Sequence, residues 1–451
     1  MSRRLSFVLG LSLVLGVFHA VLAAQWVRVD RQPPAWDPAV HLGTTLDYRE
    51  AFSEGRWLDL IRTKPRPGHP QYPIAYHYSL LPVLGAEAPH RAAVIVNLFY
   101  FFLFVGAAGW LAWQLGGAGA CAATLCAAAF SPGLLYKFRE PFPDLALCAW
   151  TTLTYALALR SKLFSDRRWA WATGVAAGLS VLSKWGAVLY LAPAVAFGLY
   201  DKKTRRFCLE AVGLGAAMAL PWYLVNSAAM LPRIWTSVML GHRGMGYPAT
   251  GTLANWLYYP RWLAECFSWT GLVLMVGGCA WTLRKNRKRP QLLIASWLVF
   301  SYLFTSLVPS KDNRYFLPAA MALPALGFAA LPVPALAAAA GIALLQAGEL
   351  RKPDPSQWHA ESVLAEIESR RGGKSATVSV LANHQAISAT TLSWLARHQG
   401  LSQVHFGGYQ SEIPEWTDFV VVKTEDPGVF LSDPTRGILA QEKNENSFFR
   451  S

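Results

Sequence analysis

The chain has 451 residues, and its composition is that of a membrane protein rather than a soluble enzyme. Hydrophobic residues make up 53% of it, charged residues make up only 15%, and the mean hydropathy is +0.26. The formal net charge of +14 would favour a nucleic-acid partner in a soluble protein, but here the basic residues cluster between apolar stretches. The charge therefore indicates membrane topology, and we expect no nucleic-acid partner. The six cysteines show no C-x-x-C spacing and predict neither a disulfide framework nor a zinc site.

Apolar stretches recur along the chain, and several are long enough for the roughly 20 residues that a membrane-spanning helix needs. They predict an all-α polytopic membrane protein with roughly eleven spans, at 6–24, 91–113, 118–136, 144–160, 169–183, 186–200, 207–225, 261–283, 291–309, 315–331 and 334–348. The first stretch follows Arg3 and Arg4 and is compatible with a cleaved signal peptide or with a retained span. Its length favours the retained span.

The basic residues between these spans predict the orientation. With the amino terminus in the cytoplasm, the inner loops are the basic ones, containing Arg160, Lys162, Arg167, Arg168, Lys202, Lys203, Arg205, Arg206, Arg284, Lys285, Arg287, Lys288 and Arg289. The outer segments are then 25–90, 137–143, 226–260, 310–314 and everything after 349. We therefore expect a multi-pass protein of the plasma (inner) membrane whose acidic loops face away from the cytoplasm.

The last hundred residues differ from the rest because charged and small polar residues return. Runs at 377–381 and 419–423 have the composition of β-strands, and a helical pattern lies between them near 386–398. The sequence thus predicts a transmembrane domain over 1–350 and a small soluble α/β domain over 351–451 on the non-cytoplasmic side.

The first outer segment contains a candidate catalytic carboxylate, Asp37, ahead of a helical stretch at 39–54. Group transfer to a hydroxyl or amine needs a base that accepts the acceptor's proton, and a carboxylate can serve as that base. Asp followed by Pro38 is also typical of a helix start, so a capping role for Asp37 stays open.

The second outer turn places Arg139, Glu140 and Asp144 between two uncharged helices. Carboxylates here could orient a nucleophile or bind a divalent cation, and Arg139 could contact a phosphate. Helix capping by Asp144 and headgroup anchoring by Arg139 are the structural alternatives.

Further cations follow in the third outer turn, Lys311 and Arg314, and between two spans, Lys184. A charge at mid-bilayer costs about 2.5 to 3.5 kcal/mol, so we expect all three at the interface, where they could bind a lipid phosphate. Headgroup anchoring is favoured for Lys184. His69 and His242 lie in outer segments and are candidates for binding substrate or a metal.

Taken in order, these features resemble the GT-C superfamily of membrane glycosyltransferases, in particular the branch of aminoarabinose lipid A transferases and protein O-mannosyltransferases. The resemblance covers roughly residues 1–335 and rests on Asp37, His69-Pro70, Arg139 ahead of Asp144, 182–186 (LSKWG), 220–223 (LPWY), and Lys311 with 314–318 (RYFLP). It implies inverting transfer of a sugar from a polyprenyl-phosphate or pyrophosphate donor to a lipid, glycan or protein acceptor.

The resemblance also implies roles for individual residues. Asp37 and Asp144 would be the catalytic carboxylates, and Arg139, Lys311 and Arg314 would hold the lipid phosphate. Family members often have a second carboxylate where this chain has Pro38, and two prolines with Leu where it has 70–72 (PQY). Dependence on a divalent metal is therefore open, with Glu140 and His242 as candidate ligands.

Two rival classes remain, a polytopic transporter or lipid flippase and a noncatalytic membrane scaffold with the tail as the working module. Transporters commonly carry ionisable residues or broken helices in paired repeats, and no such repeat is visible here. For the tail, the sequence predicts a lid or acceptor-docking role.

Overall fold

The computed structural model describes residues 3–65, 71–240, 247–349, 352–381, 384, 386–408 and 416–423. Over these residues the fold is mostly helical. The α-helices are α1 Arg3–Val29, α2 Trp36–Ser53, α3 Ile74–Leu80, α4 Pro89–Ala129, α5 Pro132–Phe138, α6 Pro143–Arg160, α7 Arg167–Ser183, α8 Ala187–Tyr200, α9 Lys202–Trp235, α10 Leu253–Trp256, α11 Tyr258–Lys285, α12 Arg289–Leu307, α13 Asn313–Ala320, α14 Ala322–Gly327, α15 Val333–Leu345, α16 Ala360–Arg371 and α17 Ala389–His398. The strands are β1 Ala376–Val380, β2 Val404–Gly408 and β3 Phe419–Val421.

Several helices have the length and apolar composition needed to cross a membrane, which agrees with the predicted class. Within the described residues five pass this test by themselves, namely Arg3–Val29, Pro89–Ala129, Lys202–Met239, Leu253–Lys285 and Arg289–Leu307. The bent pair α5 and α6 would make a sixth. The expected number of about eleven spans stays a prediction.

Proline interrupts two of the predicted helices. The helix expected at 118–136 ends at Ala129, because Pro132 holds Ser131 in an extended conformation. The chain then bends by 118° between α5 and α6. The helix expected at 315–331 is split at Met321, since Pro324 has no N–H to donate to the carbonyl of Ala320.

The described residues fall into two compact units. The first comprises the described parts of 1–24, 51–79 and 94–352, and its bundle includes α6 to α9. Helices α7 and α9 approach so closely that only glycine fits at position 174. A Cβ on Gly174 would lie 2.4 Å from the backbone oxygen of Ala211. Small residues at such contacts are typical of membrane helix packing.

The basic loops meet at one end of this bundle. Glu210 of α9 accepts hydrogen bonds from Arg167 at 2.8 Å and from Arg206 at 3.2 Å. Asp201, the N-cap of α9, pairs with Arg289 at 2.6 Å. The three basic loops predicted to be cytoplasmic are therefore neighbours, as residues on one side of a membrane should be.

The second unit comprises residues 25–50, 80–93 and the described residues after 352. Its three strands form a parallel sheet in the order β2-β1-β3. The sequence predicted β1, β3 and α17 but missed α16 and β2. This unit contains both Asp37 and the carboxy-terminal strands, which the sequence analysis had assigned to separate domains.

Candidate functional site

Asp144 and Lys184 form a buried ion pair in the first unit. The Lys184 ammonium donates to Oδ1 of Asp144 at 2.7 Å, and the side chains are only 10% and 1% exposed, respectively. Within the described residues, Oδ2 of Asp144 has no hydrogen-bond partner. Because buried carboxylate oxygens normally have partners, Oδ2 is the acceptor that this pair offers to a ligand.

Local sequence places both members of the pair. Pro143 and Asp144 open α6, but the N-cap is Phe142, and it makes no side-chain cap. The capping alternative for Asp144 is therefore wrong, because its carboxylate bonds to Lys184 instead. Lys184 is the extended residue that ends α7. Headgroup anchoring, the interpretation favoured for Lys184, is also wrong, since its partner lies inside the protein.

Aromatic side chains surround this pair. The Lys184 ammonium lies 5.9 Å from the ring centre of Tyr72, which comes from the first outer segment. The Asp144 carboxylate acts electrostatically on the hydroxyls of Tyr190 and Tyr315. Tyr190 in turn donates a hydrogen bond to the backbone oxygen of Tyr315. The pair thus connects the first outer segment to the turns before α6 and α13.

A second group of charges lies where two outer turns meet. Lys137 pairs with Glu140 at 3.6 Å, and Arg314 pairs with Asp312 at 2.6 Å. Lys137 and Arg314 both lie over the ring of Phe142, at 5.1 Å and 4.7 Å from its centre. The structure therefore brings the second and third predicted outer turns together at Phe142.

The electrostatics of this group favour the ionised form of Asp312. Burial alone would raise the pKa of Asp312, but the Arg314 guanidinium, with a smaller contribution from Lys137, holds it below its usual range. Together with Asp144–Lys184 the region contains three carboxylate–cation pairs. A phosphate that binds there has to compete with a carboxylate for its cation.

A buried asparagine fixes the second outer turn. Asn97 of α4 donates to the backbone oxygens of Phe138 at 3.1 Å and Glu140 at 2.6 Å, and it accepts from the Tyr76 hydroxyl at 2.9 Å. Sequence reasoning missed Asn97. Its signal was present, because it is an amide inside the uncharged stretch 92–136.

Arg139 and Lys311 lie deeper than expected for interfacial cations. Arg139 is buried, packs against the Phe138 ring at 5.2 Å, and lies within electrostatic range of His19 in α1. Lys311 is fully buried, and its ammonium donates to the carbonyls of Thr305, Ser306 and Val308. Burial lowers the pKa of Lys311 to about 8. Its assignment as a phosphate ligand stays a prediction, in competition with this role at the end of α12.

Asp37 lies in the second unit, in the first turn of α2, and is half-buried. The carboxy-terminal part of the chain contacts this helix and the residues before it. Thr391 donates to the carbonyl of Pro34 at 3.0 Å, and Arg397 pairs with Asp47 at 2.9 Å and Glu50 at 3.1 Å. Helix α17 therefore holds the element that carries Asp37.

The remaining candidates concern a metal. His69 and His242 lie outside the described residues. Among the described residues there is no group of three or more His, Cys, Asp or Glu side chains that could hold a metal ion, and Glu140 is paired with Lys137. The described donors by themselves do not form a metal site, and metal dependence stays open.

Known proteins resemble this chain over part of its sequence and over most of its fold. No family model matches the chain. A stretch of 185 residues, 38% of this chain, is 28% identical to an undecaprenyl phosphate-alpha-4-amino-4-deoxy-L-arabinose arabinosyl transferase of Pseudomonas aeruginosa (strain UCBPP-PA14). That match spans about a third of the relative's length, 32%.

The fold extends the likeness to most of the chain. The structure superposes on apo ArnT from Cupriavidus metallidurans with a TM-score of 0.60 at 16% identity, covering 86% of this chain and 84% of ArnT. For ArnT bound to undecaprenyl phosphate the TM-score is 0.56 at 16% identity, covering 88% and 76% of the two chains. For the apo oligosaccharyltransferase of Archaeoglobus fulgidus it is 0.52 at 10% identity, covering 86% and 63%. The predicted resemblance to GT-C membrane glycosyltransferases is thus confirmed at the level of the fold.

Proposed function

We propose that this protein is a membrane glycosyltransferase that moves a sugar from a polyprenyl-phosphate-type lipid to a lipid, glycan or protein acceptor, with inversion at the anomeric carbon. The observation that carries the proposal is the buried Asp144–Lys184 pair, set among charged outer turns in a fold shared with ArnT. A buried charge is costly, and ionisable residues inside membrane proteins are usually functional. The transport alternative is not favoured, since the relative from Pseudomonas aeruginosa is named an arabinosyl transferase.

The proposed reaction is a single displacement. The acceptor oxygen or nitrogen attacks the anomeric carbon while its proton passes to Asp37, acting as general base. The bond between the anomeric carbon and the phosphate oxygen breaks, and the electron pair leaves with the polyprenyl phosphate. Asp144, paired with Lys184 at 2.7 Å, orients the acceptor or the sugar through Oδ2.

Cations stabilise the leaving phosphate in this scheme. Arg139, Arg314 and Lys184 are the proposed ligands, with His69 and Lys311 as further candidates from the sequence. An arginine suits a phosphate because its planar fork donates two parallel hydrogen bonds. Arg314 pairs with Asp312 at 2.6 Å. When the donor binds, its phosphate replaces the Asp312 carboxylate as the partner of Arg314.

The proposed topology places this site outside the cytoplasm, in the plasma (inner) membrane, with the amino terminus inside. The meeting of the basic loops around Glu210 and Asp201 supports this orientation. Residues 351–451 are proposed as a non-cytoplasmic α/β domain. The contacts of α17 with α2 support a role in holding the Asp37 helix.

The test is transfer by the full chain in proteoliposomes with a polyprenyl-phosphate-linked sugar as donor. Asp37→Asn and Asp144→Asn, correctly inserted, should each lower the rate by about 100-fold or more, the usual contribution of a positioned acid or base. Asp201→Asn is the matched control, because it alters a less deeply buried carboxylate that likewise pairs with a cation, Arg289. No sugar transfer by the unaltered chain, or donor-independent uptake of substrate into the vesicles, would overturn the proposed function. Full activity of both site variants would overturn the roles of Asp37 and Asp144.

A further inference from the structure

The second unit contains a polar cavity of about 460 Å³ that the proposed chemistry does not use. Three segments form most of its wall, namely the residues after α1, the residues around the start of α4, and the segment leading into α16, and Leu395 of α17 completes it. The lining side chains that matter most are Arg31, Glu87, Arg91, Gln357, Trp358 and Glu361. A volume of this size lies within the range of roughly 300–1,000 Å³ typical of small-molecule sites.

Hydrogen bonds hold these walls in place. The backbone N–H of Arg31 donates to the carbonyl of Asp354 at 2.6 Å, and the N–H of Asp354 donates to Oδ1 of Asp30 at 2.9 Å. Arg91 reaches back to the carbonyl of Asp30 at 3.3 Å. The three segments are therefore joined at Asp30, and the cavity is part of the folded unit.

The tryptophan in the wall is fixed as well. The Trp358 indole N–H donates to Oδ2 of Asp354 at 2.9 Å, and its ring stacks on His384 with centres 5.1 Å apart. An immobilised indole is a suitable surface for the C–H face of a sugar ring, because it offers apolar area at little entropic cost.

The charges of the lining select among ligand classes. The charges of the two arginines and two glutamates cancel. His90 and His359 also line the cavity, and Gln357 adds an amide that donates and accepts. A bare phosphate would meet two carboxylates, and an acyl chain would meet polar walls. A ligand rich in hydroxyl groups fits best, since each hydroxyl can accept from an arginine and donate to a glutamate.

We infer that this cavity binds a carbohydrate portion of the acceptor. This inference rests on the proposed glycosyl transfer and names the acceptor class as one that carries a glycan. The position of the cavity agrees, because Pro33 lines it and precedes the proposed base Asp37 by four residues. A glycan held here would belong to the same folded unit as the base.

The experiment measures glycan binding by the full chain in nanodiscs, using saturation-transfer difference NMR. The probes are the methyl glycosides of common hexoses, N-acetylglucosamine and arabinose, with lactose and maltose, and glycerol phosphate as the anionic comparison. At least one glycan should bind, and Glu361→Gln and Gln357→Ala should each weaken it by about tenfold, as expected for a lost hydrogen bond to a charged or amide group.

Glu366→Gln is the matched control. Glu366 lies on α16 with Glu361 but outside the cavity, where it pairs with Arg370 at the surface. This variant should bind as the unaltered chain does. Glu361 and Gln357 are exposed, so their variants should fold normally.

Three results would overturn the inference. They are no glycan binding, stronger binding of glycerol phosphate than of any glycan, and glycan binding that Glu361→Gln and Gln357→Ala leave unchanged. Binding needs no donor lipid, so glycan binding without sugar transfer would contradict only the proposed function. Transfer with an unchanged acceptor KM in Glu361→Gln would contradict only the carbohydrate site.

Discussion

The two ends of the first unit hold carboxylate–cation pairs of nearly equal length in different surroundings. Asp144 and Lys184 lie 2.7 Å apart with side chains 1% and 10% exposed. At the basic end, Asp201 and Arg289 lie 2.6 Å apart with side chains 28% and 44% exposed. Water screens the second pair but not the first. The N–O distance therefore does not separate the two pairs. Burial does, because the pair with the proposed catalytic role is buried and the pair between the basic loops is not.

The largest expected effect is on the buried pair. Lys184→Met leaves the Asp144 carboxylate buried without a countercharge, which should lower the free energy of unfolding by about 3–5 kcal/mol. Thermal unfolding in detergent measures it. The double variant Asp144→Asn, Lys184→Met removes both charges, so it should recover most of the stability and remain inactive in transfer. An active double variant would show that the pair only stabilises the fold.

The sequence named both Asp144 and Lys184 as candidate site residues, but it did not predict that they form an ion pair. Asp144 stood out because a short hairpin between uncharged helices does not require a carboxylate. Lys184 was assigned to the headgroups because its partner lies 40 residues away along the chain, and no local pattern reports such a contact. The two meet where α6 begins and α7 ends, directly after the bend between α5 and α6, which contains Pro141 and Pro143.

The same limit applies to the second unit. Strands β1 and β3 were visible as apolar β-branched runs. The placement of α17 against α2 was not visible, since Arg397 and Asp47 are 350 residues apart in sequence. Long apolar stretches gave most helix positions, whereas the contacts that hold the candidate site together depend on tertiary structure.

Lys311 is also a buried cation, but its partners are neutral backbone carbonyls instead of a carboxylate. Lys311→Met removes the donor to three carbonyls at the end of α12, which should lower the free energy of unfolding by about 1–3 kcal/mol. If Lys311 mainly holds the end of α12, the KM for the donor lipid should change little in this variant. A raised donor KM at unchanged stability would instead support the phosphate-ligand prediction.

The pH dependence gives a second readout for Lys311. Its pKa is lowered from 10.5 to about 8 in the folded protein, so between these values the unfolded chain binds more protons. Stability contributed through Lys311 should therefore rise as the pH rises from about 8 toward 10.5. The difference in melting temperature between the unaltered chain and Lys311→Met should follow that rise. A constant difference across this window would contradict it.

A smaller effect is expected for Arg397, whose side chain is 26% exposed and pairs with Asp47 and Glu50. Arg397→Ala should cost about 1 kcal/mol and should speed hydrogen exchange over α2, because the helix loses its contact with α17. Arg397→Lys should restore the charge but only part of the protection. Arg370→Ala, at a surface pair on α16, is the control. Unchanged exchange in α2 would mean that α17 does not hold the Asp37 helix.

The smallest effect is expected for the exposed pair. The backbone N–H of Lys203 and the Arg289 guanidinium lower the pKa of Asp201, so its contribution is present above the ordinary pKa of aspartate and is lost as the pH falls through the lowered value. Asp201→Asn keeps a residue that caps helices well, and Arg289→Met removes a screened charge. Both should shift the melting temperature only slightly at neutral pH, and high salt should abolish the shift. A loss as large as that of Lys184→Met would mean that burial does not separate the two pairs, and the catalytic role of Asp144 would then lose its physical basis.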